Sequence, residues 1–134
     1  MERSSGHPVF LSTSLIILGN IYLMSKRDDE AYGVIIRALD RQEQELGPNN
    51  TEILEQLKDL MGICVRLGQP EMAEVFFERA QDIIEHNAGI DGLVVAEWLD
   101  DSAGMYQALG KDDKARANLE RAQVIRENSG KLSE

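Results

Sequence analysis

The sequence predicts an all-α protein built from three tandem helix–turn–helix units, six helices stacked side by side as a solenoid. Three observations carry this. The chain resembles itself when shifted by 42 residues: Leu15, Leu57 and Leu99 align, as do Ala31, Ala73 and Ala115, then Arg37, Arg79 and Arg121, then Ala38, Ala80 and Ala122, then Glu43, Glu85 and Glu127. Glu78-Arg79-Ala80-Gln81 recurs unchanged at Glu120-Arg121-Ala122-Gln123. Apolar residues recur at helical spacing within each half-unit, and turn-forming residues separate the halves. A repeat of this length marks units that bury a common core by stacking.

In the first unit, Ser12 to Ser25 carries Leu15, Leu18 and Tyr22 on its inner face. Asp28 is expected to cap a second helix from Asp29 to about Leu46, with Ala31, Ile35, Ala38 and Leu39 inward. The link Leu46-Gly47-Pro48-Asn49-Asn50 is turn chemistry. The second unit opens with a helix from about Thr51 to Leu67; Gly68 supplies a left-handed stop, and Pro70 starts the next helix without losing a needed N–H. That helix is expected to bury Ala73, Phe76, Phe77, Ala80 and Ile84. After the turn Gly89-Ile90-Asp91-Gly92, a helix from about Leu93 ends at Gly110. Asp112 is expected to cap the last helix, to about Asn128, with Ala115, Leu119, Ala122 and Ile125 inward. Alanine at each crossing lets antiparallel helices approach to the close end of the usual 8–10 Å. The expected organisation is one domain over 12–128, with units at about 12–50, 51–92 and 93–128, between tails at 1–11 and 129–134.

Composition bounds the function. The 134 residues suit one domain, and 43% hydrophobic with 28% charged residues is ordinary for a globular chain. A net charge of −10, with Lys and Arg scattered among acids, argues against nucleic acid and against an anionic membrane surface. Cys64 is the single cysteine; inside Leu60-Met61-Gly62-Ile63-Cys64-Val65 it reads as a small buried hydrophobe. The lack of an internal disulfide fits a reducing, cytoplasmic setting. The apolar run Phe10–Met24 is broken by Ser12, Thr13, Ser14 and Asn20, and is short for a membrane span.

The units resemble the tetratricopeptide repeat, whose pattern runs Trp-x2-Leu-Gly-x2-Tyr, then Ala-x3-Phe. Unit one has Leu15-x2-Leu18-Gly19-x2-Tyr22 and Ala31-x3-Ile35; unit two has Leu57-x2-Leu60-Met61-x2-Cys64 and Ala73-x3-Phe77; unit three has Leu99-x2-Ser102-Ala103-x2-Tyr106 and Ala115-x3-Leu119. The unit is 42 residues rather than about 34, and Glu43, Glu85 and Glu127 replace the closing proline. This length, with Leu46-Gly47-Pro48 before the next unit, is similar to the kinesin light chain subtype. The paired asparagines of that subtype are replaced by Lys58-Asp59 and Asp100-Asp101.

The resemblance implies a right-handed superhelix whose first helices line a concave groove that binds a peptide or helix of another protein. The groove residues would be Thr13, Ile16, Asn20 and Leu23 from unit one, Glu55, Lys58, Asp59, Gly62, Val65 and Arg66 from unit two, and Glu97, Asp100, Asp101, Gly104 and Gln107 from unit three. Five acids against two bases leave −3 there. Some relatives grip a C-terminal carboxylate with lysine and asparagine, but Ile16 stands where the lysine would be. A Lys- or Arg-bearing ligand is expected instead.

The first helix is apolar nearly all round, unlike a helix with one buried face. Ile16, Ile17, Leu23 and Met24 exceed what a core needs and form an expected seam for a partner or for a homodimer. Self-assembly through this helix is the alternative to peptide binding. Val9, Phe10 and Leu11 folding back as a cap would also cover it. The last helix, with Arg116, Glu120, Arg121 and Arg126, is expected either to serve as its own polar cap or to continue into a longer array.

No enzymatic activity, cofactor or metal is expected. His7, His86 and Cys64 lack metal-ligand spacing, and no phosphate loop or nucleophile elbow occurs. Glu97, Asp100 and Asp101 could approach a cation, but adjacent helical positions diverge. Trp98 is either a core anchor or a groove contact.

Overall fold

The computed structural model describes residues 8–87 and 89–133, with side chains for 12–87 and 89–129. Expectations for His7, for the rest of residues 1–7, and for the side chains of Val9, Phe10 and Leu11 lie outside the described residues. Six α-helices follow one another: α1 Pro8–Met24, α2 Asp28–Leu46, α3 Leu54–Arg66, α4 Pro70–His86, α5 Gly92–Ala108 and α6 Asp112–Ser133. A single 3₁₀ turn, Thr51–Ile53, leads into α3 and is capped by the Asn50 side chain, which accepts from the Glu52 N–H at 2.8 Å. Each odd helix packs on the even helix that follows it, and α2 on α3 and α4 on α5 join the units into an all-α solenoid.

The 42-residue period is visible in the turns. The N–H groups of Arg27, Gln69 and Lys111 reach back to the carbonyls of Tyr22, Cys64 and Tyr106 at 2.9, 2.7 and 2.8 Å. This closure requires a left-handed residue, which is Gly68 at φ 76° and Gly110 at φ 75°. Unit one places Lys26 there, at φ 62°.

The same closure corrects two expected caps. It fixes Arg27 at the cap position of α2, so Asp28 is the first helical residue and its carboxylate accepts from Arg66 at 2.9 and 3.2 Å instead. Asp112 likewise opens α6 rather than capping it. At the start of α5, by contrast, Asp91 is the cap, accepting from the Leu93 N–H at 2.8 Å.

The helix ends also differ from expectation. α1 begins at Pro8 rather than Ser12, because proline suits a first helical turn and residues 9–11 continue the run. α6 continues to Ser133, since no proline or left-handed stop interrupts it after Asn128. Residues 8–11 and 129–133 are therefore helical.

The core runs through all three units. The six repeat alanines, Ala31, Ala38, Ala73, Ala80, Ala115 and Ala122, are all buried, as the close helix crossings require. Phe77 lies edge-on to Tyr106 with centroids 5.9 Å apart, and 6.3 Å from Trp98, which is a core anchor. Cys64 is buried, and burial pushes its thiol pKa up, as an inert core cysteine requires.

Three expected inward residues are displaced, with one cause for two of them. Leu18 and Leu119 are exposed, although their counterparts Leu60 and Phe77 are buried. Those counterparts belong to unit two, which has a unit on both sides; no described helix precedes α1 or follows α6. In α4, Ile83 takes the fully buried position expected of Ile84, which is half-buried. Of the expected seam, Ile17 and Met24 are exposed, while Ile16 and Leu23 are half-buried, Leu23 because it packs against the core.

Candidate functional site

The first helices α1, α3 and α5 bound a groove of about 490 Å³. It contains eight of the expected residues: Leu23 from α1, Lys58, Asp59, Gly62, Val65 and Arg66 from α3, and Asp101 and Gly104 from α5. Met61 and Met105 complete its apolar floor. Sequence reasoning missed both because each also belongs to the buried core. Helical spacing from Leu57 to Met61 signalled core but gave no sign of a second, groove-facing edge.

The other expected residues lie elsewhere. Thr13, Ile16 and Asn20 sit on α1 outside the groove lining. Glu55 lines a different depression, of about 800 Å³, beside His86, Asn87 and Val94 where units two and three meet. Gln107 borders Arg116 and Leu119 at the α6 side. Asp100 pairs with Arg126 of α6, turning away from its neighbour Asp101. Glu97 reaches the groove edge only through Lys58.

The groove charges are largely committed to one another. Lys58 bridges from α3 to α5, with its Nζ 2.9 Å from Glu97 and 3.5 Å from Asp101. Burial alone would lower its pKa, but the hydrogen bond to Glu97 and the two carboxylate charges outweigh burial and raise it. Arg66 is held by Asp28, whose carboxyl pKa falls because it accepts from the guanidinium. Asp59 is different. It lies half-buried between these pairs, and among the described residues no cation reaches it within ion-pair distance. Desolvation, reinforced by the nearby Glu55 charge, raises its pKa, and Lys58 and Arg66 only partly offset this.

Two glycines open the groove wall. A Cβ at Gly104 would meet nothing within 4 Å, and one at Gly62 would touch only the Arg66 Nη1 at 3.4 Å. Backbone is therefore accessible to close approach. Elsewhere, the His86 Nδ1 donates to the Asp82 carbonyl at 2.7 Å, an ordinary helix-end contact. Among the described residues, no group of three or more His, Cys, Asp or Glu side chains could hold a metal. No described helix is long and apolar enough to cross a membrane.

A sequence profile described as "Tetratricopeptide repeat" matches residues 57–128, more than half of the chain. No curated protein matches. Among solved structures, BtubC (BKLC) from P. vanneervenii superposes with a TM-score of 0.82 at 22% identity, over 89% of this chain and 48% of that one. The chain thus spans about half the length of that protein. The TPR domain of Arabidopsis FLU superposes with a TM-score of 0.80 at 20% identity, over 91% of this chain and 99% of that domain. At these identities the likeness concerns the fold. With three units closing on the same turn, alanines at every crossing and the matching profile, the chain belongs to the tetratricopeptide repeat family, whose members generally mediate protein–protein interaction.

Proposed function

We propose that this protein holds a Lys- or Arg-bearing segment of another protein in the groove between α1, α3 and α5. Asp59 carries the reading. It is a half-buried carboxylate with no cation at ion-pair distance among the described residues, while the neighbouring Lys58 and Arg66 are both engaged. Its charge is penalised by burial. An incoming ammonium or guanidinium would relieve that penalty and gain a charge-assisted hydrogen bond. Half-buried Leu23 and Val65 in the same lining offer apolar contact beside that cation.

The role is binding rather than catalysis, in keeping with the family. The net charge of −10 disfavours nucleic acid and anionic lipid as partners. The lone, buried Cys64 supports a reducing, cytoplasmic setting. The 42-residue unit supports the likeness to the kinesin light chain subtype.

The test is fluorescence anisotropy with short helical peptides that differ only in one central residue: Lys, Arg, norleucine or Glu. Lys and Arg peptides should bind best, and weaken with added salt. Asp59→Asn should weaken them about tenfold or more, the loss of a contact of about 1.5–3 kcal/mol. Affinity that ignores peptide charge, salt and Asp59 overturns the reading.

A further inference from the structure

The outward face of α1 is unlike any other surface of this protein. Leu18 and Ile21 occupy the positions that Leu60 and Ile63 hold in unit two, 42 residues on. Those two are completely buried, whereas Leu18 is 39% and Ile21 52% exposed. The positions are therefore built to be covered. Beside them, Ile17 and Met24 are also exposed.

We propose that this face is covered by a second copy of the chain, α1 against α1 about a two-fold axis. Three observations select that occupant. Ser14, Ile17, Ile21 and Met24 follow one another at intervals of three, four and three, the spacing that lines one stripe of a helix against a partner helix. The stripe is self-complementary, as an isologous contact requires. α1 also contains no Asp, Glu, Lys or Arg over Pro8–Met24, whereas each of α2 to α6 carries several. In a chain of net charge −10, this is where two copies meet without bringing acid against acid.

Between copies of this chain, the choice is between α1 on α1 and α1 on the opposite end of the described stack, α6. The tail end does not match. Where α4 offers Phe77, Gln81 and Ile84, α6 offers Leu119, Gln123 and Arg126 at the same places in the unit. Docking α1 there would set its uncharged stripe on polar groups and an arginine whose hydration would be lost. It would also be heterologous, giving an open chain of copies, whereas α1 on α1 closes as a pair.

Light scattering on the full chain tests this. The wild type should show twice the 15.0 kDa chain mass, with a concentration-dependent fall on dilution. Ile17→Lys with Ile21→Lys should halve the mass while leaving the helical circular dichroism unchanged, and so should Ile17→Glu with Ile21→Glu. Mixing the two double variants should restore the doubled mass, because each α1 then meets the opposite charge. Leu119→Lys should leave the wild-type mass unchanged. If the doubles lose helicity, Met24→Lys and Met24→Glu, at the most exposed apolar residue of the stripe, make the same exchange. The proposal is overturned if the wild type stays at 15.0 kDa at the highest attainable concentration. It is equally overturned if the mixture fails to recover mass, or if Leu119→Lys alone halves it, since each result places the contact away from an α1–α1 seam.

Discussion

Asp59 and Asp28 are both aspartates beside Arg66, yet the fold treats them oppositely. Asp28 accepts the guanidinium directly, so its pKa is lowered and its charge favours the folded state. That contribution is present at neutral pH and is lost as pH falls through the depressed folded pKa. Its size is small, within about 1 kcal/mol, because the Arg66 side of the pair is open to solvent. Asp59 has a raised pKa, so its charge opposes folding at neutral pH, and protonation removes the penalty as pH falls through that raised value. Asp59→Asn should therefore raise the thermal midpoint at pH 7 but not well below the ordinary aspartate range. Differential scanning calorimetry across pH measures this directly. The same variant should bind cationic peptides less well, so stability and binding should move in opposite directions, as happens where a site carries strain for its ligand.

At the scale of elements, the turn after each first helix gives a second prediction. Lys26 occupies the left-handed position that Gly68 and Gly110 fill in the other units. A side chain there costs roughly 1–2 kcal/mol, of which glycine's extra unfolded-state entropy offsets about 0.5–1. Lys26→Gly should stabilise the protein by up to about 1 kcal/mol, read from a urea midpoint.

Helix glycines divide in the same way. Gly19 sits on α1 where a Cβ would come 2.7 Å from Ile35 Cγ1, a stiff branched side chain in the core. Gly19→Ala should destabilise despite alanine's better helix propensity, because overpacking costs roughly 1–3 kcal/mol. At Gly104 the same change meets empty space and should stabilise by up to about 1 kcal/mol while narrowing the groove. A denaturant series on the two variants should move in opposite directions. These elements were legible in the sequence because Gly68, Pro70, Asp91 and Gly110 are local signals whose chemistry fixes the chain nearby. The caps at Asp28 and Asp112 were not, since a backbone closure five residues long decided them. Groove membership was half legible for a similar reason. Helical register placed Asp59, Gly62 and Gly104, but the direction of Asp100 depends on Arg126, 26 residues away.

At the scale of the whole molecule, stability passes from unit to unit. Phe77 joins α4 to Trp98 and Tyr106 of α5, so it belongs to two units at once. Phe77→Ala should cost about 3–5 kcal/mol, a large share of the 5–15 kcal/mol that such a domain has. Trp98 is the single tryptophan, so its fluorescence should report loss of this junction at a lower denaturant concentration than in the wild type. The exposed ends, Leu18 and Leu119, were illegible for the converse reason. The repeat pattern describes a unit with neighbours and says nothing of a terminal one.

The junctions share one further trait. Arg66–Asp28 and Arg79–Glu43 cross from unit two to unit one, and Lys58–Glu97 and Lys111–Glu74 cross between units two and three. Apolar contacts hold neighbouring units together, while these partly solvated pairs pin the angle at which one unit meets the next. Screening by salt weakens the pins and spares the apolar contacts. The angle between units, and with it the width of the groove, should therefore loosen as ionic strength rises, which small-angle scattering across a salt series would read as a change in the radius of gyration.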